Sequence, residues 1–425
     1  MKHHRQKLLH LLSPLIGNLF ENYDNALFAL LSPYLAHLFF PEQDQTVALI
    51  LTYAIIPISA LAYPIGALFF GYIGDMHGKQ HALFLTMSGM AAVTMAMAFL
   101  PTYASIGMAA PLLLSLGRML QNFFASGETV GGALYLLEHT PEKQRNFLSS
   151  IFACSTVAGI LVGSAAVGIL ANANMVETCW RYLFMFGGIT ALVGLYIRSQ
   201  QEKEHDNTPK KITIIDNIKV LWQERRPLMQ VIIVSGFSWA CYFIALVVIN
   251  GLIPLVTDIT EAEAVSMNTS LVVLDFVLLP VFGYCATIWT REKVMLAATL
   301  VTVVAGMPLF LWLQDANLVT VMVIRSIFVM IGVGYCASYH AWARAQVPEH
   351  CRYSLLSFGY AMGGQLFGGP TAVITLWLYH ATGKIWLASI WWIGVAILAA
   401  FALAFNKSVA AIEGKMIKSP SLLSN

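Results

Sequence analysis

The sequence predicts an all-α membrane protein: 12 transmembrane helices in two pseudo-symmetric six-helix bundles. Three observations predict it. The 425 residues are 58% hydrophobic and 11% charged, with mean hydropathy +0.70, whereas soluble domains carry roughly 25% charged residues. Twelve mostly apolar stretches follow one another, each long enough to cross a hydrocarbon core. One polar element is also used twice. Arg118 is followed 23 residues later by Pro141-Glu142-Lys143-Gln144-Arg145, and Arg325 23 residues later by Pro348-Glu349-His350-Cys351-Arg352.

The expected spans 1 to 12 are, in order, 10–38, 47–73, 82–100, 107–137, 147–171, 178–198, 228–256, 263–289, 294–314, 317–345, 354–380 and 385–406. The basic start (Met1-Lys2-His3-His4-Arg5) precedes an apolar stretch too long for a signal segment, so span 1 reads as an uncleaved helix. Pro14, Pro33, Pro57, Pro64, Pro280 and Pro370 interrupt spans, which membrane helices tolerate where neighbours re-satisfy the backbone. Spans 4 and 10 carry the buried arginines. Residues 199–227 form the one sizeable loop, and divide the chain into an N-terminal bundle (1–198), a cytoplasmic linker and a C-terminal bundle with a short cytoplasmic tail (228–425). Within the linker, Ile215, Ile218 and Trp222 recur at helical spacing; a short surface helix and a plain tether are both open readings.

Lysine and arginine placement fixes the orientation. With both termini cytoplasmic, 20 of the 24 lie on the inner side, Arg181 and Lys384 lie outside, and Arg118 and Arg325 lie within spans. This is the positive-inside asymmetry, and an odd number of spans would destroy it. The six cysteines show no CxxC or metal-ligand spacing, and no disulfide is expected. No basic block with interleaved aromatics suggests nucleic acid. No HExxH, GxSxG or phosphate-binding loop appears, so an enzyme is not expected. A charge at bilayer depth costs several kcal/mol unless paired or hydrated, and therefore marks a polar pathway. Duplicated halves with polar groups at the midplane are the architecture of secondary transporters.

Four motifs carry a resemblance. Gly71-Tyr72-Ile73-Gly74-Asp75-Met76-His77-Gly78-Lys79 resembles the G-x-x-x-D-x-x-G-[RK] signature of the major facilitator superfamily. Arg118-Met119-Leu120-Gln121 is similar to its R-x-x-Q motif. Gly17-Asn18-Leu19-Phe20-Glu21-Asn22-Tyr23-Asp24 resembles the G-x-x-x-E-W-Y-D of the metabolite:proton symporter branch, and Gly127-Glu128-Thr129-Val130-Gly131-Gly132-Ala133 its G-E-x-x-G-A run. Asn22 departs from the usual Trp, and Thr287 stands where a second Asp75 would be.

The resemblance implies the major facilitator fold and proton-coupled import of a small metabolite by alternating access. It implies a bacterial inner-membrane protein that acts as a monomer, with no cofactor beyond the proton gradient. It places spans 1 and 4 against a central cavity, with an acid of span 1 and Arg118 performing the coupling. Asp24 is the expected proton site, with a permanently salt-bridged Asp24–Arg118 pair and Glu21 as alternatives. Two guanidiniums on one cavity would offer forked donors to carboxylates, so an organic di- or tricarboxylate is the expected substrate. If instead Arg325 is neutralised by Asp275, a zwitterion such as proline or betaine fits better. Tyr23, Gln121, Gln365 and Asp275 are further substrate-site candidates. Gly71, Asp75, Gly78, Lys79 and Glu128 are expected to form a cytoplasmic gate. Proton-driven export of a drug or carboxylate siderophore is the rival reading.

Overall fold

A computed structural model describes residues 2–40, 52, 55, 58–199 and 213–404. The polar stretch 200–207, the start of span 2 and the C-terminal tail lie outside the described residues. Among the described residues the secondary structure is helical, with turns between helices and no strand. Nine helices among the described residues are long and apolar enough to cross a membrane: Ile58–His77, Lys79–Ala98, Glu142–Asn172, Val176–Ser199, Arg225–Val256, Ser266–Trp289, Arg291–Trp312, Leu318–Gln346 and Ile385–Ala404. Spans 1 (Lys2–Phe39), 4 (Ala109–Glu138) and 11 (Arg352–Gly363 running on to Thr382) are helices of span length but carry more polar groups. Those three contain Glu21, Asp24, Arg118, Glu128 and Gln365.

Local signals set the ends. Thr260 and Glu263 cap span 8 reciprocally as a capping box, and the Asn317 side chain accepts from Thr320 N at 2.9 Å to start span 10; each satisfies amides that a helix start leaves open. Gly78 turns the chain between spans 2 and 3 with φ 89°, ψ 146°, a region glycine enters freely. Thr290 occupies the matching place between spans 8 and 9 with nearly the same geometry, φ 76°, ψ 143°. The turn of the duplicated motif thus survives without its glycine, in a conformation that strains a β-branched residue.

The residues form two compact units. The first comprises Met1–Thr140 and Phe152–Ile214; the second comprises Pro141–Ile151 and Ile215–Asn425. In the first, span 3 packs on spans 4 and 6, span 2 on span 4, and span 1 on spans 4 and 6. In the second, span 9 packs on spans 10 and 12, span 8 on span 10, and span 7 on spans 10 and 12. The same pairings recur six spans later, as the repeated element requires.

The connection between spans 4 and 5, Pro141–Ile151, belongs to the second unit. Asn146 Nδ2 donates to Ala286 O at 2.9 Å, and the missing Cβ of Gly283 leaves room for Ser150. The linker contains a helix, Ile214–Gln223, rather than a plain tether. Its Asn217 is buried and donates to Ser354 Oγ at 3.0 Å, whereas Ile215, Ile218 and Trp222 are exposed. An apolar face of this kind suits a membrane interface. The outer faces of the spans are likewise apolar, with Leu112, Ile189, Val304 and Val373 exposed, as hydrocarbon surroundings demand.

Two helices of the second unit each contain a π-turn: Ile244–Val248 in span 7 and Gly364–Gly368, which contains Gln365, in span 11. Single π-turns concentrate at functional places in helices.

Candidate functional site

In the first unit the polar residues of span 1 separate by face. Tyr23 lies in the apolar core with Leu27, Leu31, Trp180 and Phe184, and its hydroxyl donates to Leu183 O at 3.0 Å. It packs between spans 1 and 6. Asn18 and Asn22 face span 5 or follow it, with Asn18 Nδ2 donating to Thr156 Oγ1 and Ser155 Oγ at 2.8 Å each.

Asp24 and Arg118 are both buried, 4% and 5% exposed, yet no ion pair joins them. A directed string of side chains links them instead. Arg118 Nη1 donates to Gln121 Oε1 at 3.0 Å, Gln121 Nε2 donates to Thr94 Oγ1 at 2.9 Å, and Thr94 Oγ1 donates to Asp24 Oδ2 at 2.5 Å. Every donor points from guanidinium to carboxylate, so the bonds polarise one another. The direct salt-bridged pair is thereby corrected: two neutral side chains stand between the charges. Arg118 also donates to Asn25 Oδ1 at 3.0 Å and lies 4.7 Å from the Phe28 ring centroid. Asp24 Oδ1 is buried and accepts no hydrogen bond.

Among the described residues, no cation pairs with Glu21. Both its oxygens accept from Thr129 Oγ1 at 2.7 Å, and Thr129 in turn accepts from Tyr63 at 3.3 Å. Glu128, one of the expected gate residues, is engaged within its own unit. It forms a buried ion pair with Arg198 at the end of span 6. Arg198 also reaches Glu128 Oε2 at 3.0 Å, Ser13 Oγ at 3.3 Å and the Leu83 carbonyl, and Thr86 donates to Glu128 Oε2 at 3.0 Å. This knot ties spans 1, 3, 4 and 6. Lys79 pairs with Glu138 at 2.8 Å, and Asp75 is half-buried at the end of span 2 between Gly71 and Gly78.

In the second unit Arg325 is fully buried. It donates to Ala264 O at 2.5 Å, to Ala245 O at 3.4 Å and to Asn268 Oδ1. Its two Nη groups are engaged by spans 7 and 8, pinning the side chain there, while Nε is buried with no partner among the described residues; no ion pair joins it to Asp275. The Ala245 carbonyl lies within the π-turn of span 7. Asp275 is held by Tyr242, whose hydroxyl lies 3.4 Å from Asp275 Oδ1 and 3.4 Å from Cys336 Sγ. Gln365 is half-buried in the π-turn of span 11.

Sequence reasoning missed Thr94, Asn25, Arg198 and Asn268. Asn25 carried a signal, being one helical turn from Glu21. Arg198 counted only as an inner-side charge, and a lone threonine in an apolar span gives none.

Two compact units with the same helix pairing, each built around buried charges in membrane-length helices, define a secondary transporter. The sequence profile of the Major Facilitator Superfamily matches residues 15–260, and the chain belongs to this superfamily. It is a multi-pass membrane transporter, not an enzyme. It is 29% identical over 390 residues to a putative proline/betaine transporter of Staphylococcus aureus, covering 87% of this chain and 81% of that one. It is 24% identical over 410 residues to the proline/betaine transporter of Escherichia coli K12, covering 90% and 80%. Its fold is similar to that of the proton:xylose symporter XylE (TM-score 0.70, 16% identity, 93% and 94% covered). It is also similar to the E. coli fucose:proton symporter FucP (TM-score 0.71, 14% identity, 94% and 99% covered).

Proposed function

We propose that the protein is a proton-coupled symporter that imports a small zwitterion of the proline or betaine kind. The observation that carries this reading is the engagement of both arginines by neutral groups of their own unit. Arg325 has given both Nη groups to carbonyl and amide oxygens and keeps only a buried Nε without a partner, so the forked pair of donors that suits a second carboxylate is already engaged. Arg118 and Asp24 balance each other through Gln121 and Thr94. A substrate of zero net charge enters such a site without leaving an unpaired buried ion, which would cost several kcal/mol.

Coupling follows from the same geometry. Asp24 Oδ1 accepts no bond and is the atom that takes the proton; Oδ2 keeps its bond from Thr94. Protonation cancels the charge that balances Arg118, and a substrate carboxylate supplies the replacement. Proton and zwitterion then bind together because each removes the cost of the other. A membrane potential adds about 2.3 kcal/mol per charge moved at 100 mV. The names of the curated relatives support the substrate class, and those of the symporters of like fold support the coupling ion.

The test is uptake by the purified protein in proteoliposomes under an inward proton gradient. Proline or glycine betaine should accumulate and be released by a protonophore, and citrate or malate should not compete. Accumulation of the carboxylates in place of the zwitterions would return the arginine clamp to favour.

A further inference from the structure

We propose that Asp275 is a second proton-binding site of the transporter, built into the second unit and served by Tyr242 and a void of one-water size. Asp275 lies midway along span 8 and is 3% exposed. The groups that face it are Tyr242 and Cys241 from span 7 and Cys336 from span 10. None of them is a cation. The cation on span 10, Arg325, is turned to Ala264, Ala245 and Asn268, and Asn268 lies seven residues before Asp275, about 10 Å along the helix. A carboxylate in this position has one long bond from a phenol and no opposite charge. Burying an ion so poorly compensated costs several kcal/mol, and holding a proton removes that cost.

Three features make the proton exchangeable rather than permanent. The Tyr242 hydroxyl is both donor and acceptor, so it serves the acid in either state. Asp275, Tyr242, Cys241 and Gly332 line a void of about 10 Å³, roughly what one water needs, and the polar partners that such a water requires are present. The π-turn of span 7 begins two residues after Tyr242, and its Ala245 carbonyl is tied to Arg325. Relaxing that turn to α geometry re-aims Tyr242. In the exchange, the Asp275 O–H bond breaks, the proton passes to the water, and the carboxylate accepts from Tyr242. This deepens the proton-coupled reading above, and the infrared arm of its test does not depend on the substrate.

The experiment is infrared titration of the protonated-carboxyl stretch in the purified full chain, comparing wild type with Asp275→Asn, Asp24→Asn and Tyr242→Phe. Wild type should show a titrating component that Asp275→Asn removes, Asp24→Asn leaves, and Tyr242→Phe shifts. In proteoliposomes, the reversal potential should give one proton fewer per proline for Asp275→Asn. A titration of Asp275→Asn superimposable on wild type would overturn the proposal, as would a component that never titrates. Should Asp275→Asn not fold, the band in wild type and its shift in Tyr242→Phe decide the matter. Failure of Asp24→Asn alone to change accumulation would count against the coupling reading and leave this one standing.

Discussion

Replacing Arg198 by methionine should destabilise the first unit by about 3–5 kcal/mol, the usual cost of stripping one partner from a buried ion pair. The structure sets the magnitude at the upper part of that range. Glu128 and Arg198 are 1% and 2% exposed, and the guanidinium also serves Ser13 and Leu83. After its removal, Glu128 keeps only the Thr86 hydroxyl as donor. At 1.4 kcal/mol per tenfold, roughly 700-fold or more should be lost from the folding equilibrium, read by denaturant unfolding in micelles. Glu128→Leu combined with Arg198→Met should recover most of it, because a buried pair exchanged for apolar groups is often neutral or better. Transport per folded molecule should persist in the double variant. Two results would refute the reasoning: Arg198→Met within about 1 kcal/mol of wild type, as for exposed pairs, or a double variant no more stable than the single one. A stable double variant that leaks protons would instead restore Glu128 to the cytoplasmic gate.

Thr94→Val should interrupt the string between Arg118 and Asp24 and abolish gradient-driven accumulation, whereas Thr94→Ser should retain it; counterflow of substrate without a gradient separates coupling from binding. A hydrogen bond to a charged group is worth about 1.5–3 kcal/mol, so valine should also cost stability of that order. Thr290→Gly should stabilise the second unit by about 1–2 kcal/mol, the strain of a β-branched residue at positive φ, measured as a raised unfolding midpoint. Gly283→Ala should displace Ser150 and weaken the hold of 141–151 on span 8, seen as faster hydrogen exchange there. Arg325→Met should destabilise by about 3 kcal/mol or more, because three oxygens lose their donor in a buried site, and unchanged stability would show that the pin is idle.

Much of the architecture was legible because membranes leave few choices: apolar length, charge asymmetry and a repeated Arg…Pro-Glu-x-x-Arg element each encode topology directly. The residues of the site were legible as types, since an acid or arginine inside a span announces itself. Their partners were not. Asp24 and Arg118 look like an ion pair in sequence, and only the positions of Thr94 and Gln121 turn that pair into a relay. Mutual neutralisation of Arg325 and Asp275 was one open reading, but the fold aims the arginine at oxygens of Ala264 and Asn268, two to three turns from Asp275. Backbone oxygens have no sequence signature, so a cation that binds them cannot be told from one that waits for substrate. Tyr23 shows the same limit: it is adjacent to Asp24 in the chain, and only the fold shows its ring among apolar residues with its hydroxyl on Leu183 O, while Asp24 accepts from Thr94.

The extra residues accommodated in spans 7 and 11 have a mechanical meaning. A helical rod with one unit too many cannot shed it, but it can pass the slack along its length at little cost. In the described residues that slack is confined to the second unit, so the halves share a blueprint without sharing stiffness. Point changes beside Ile244–Val248 or Gly364–Gly368 should therefore retune working speed, whereas equivalent changes in the first unit should chiefly alter how firmly it holds together.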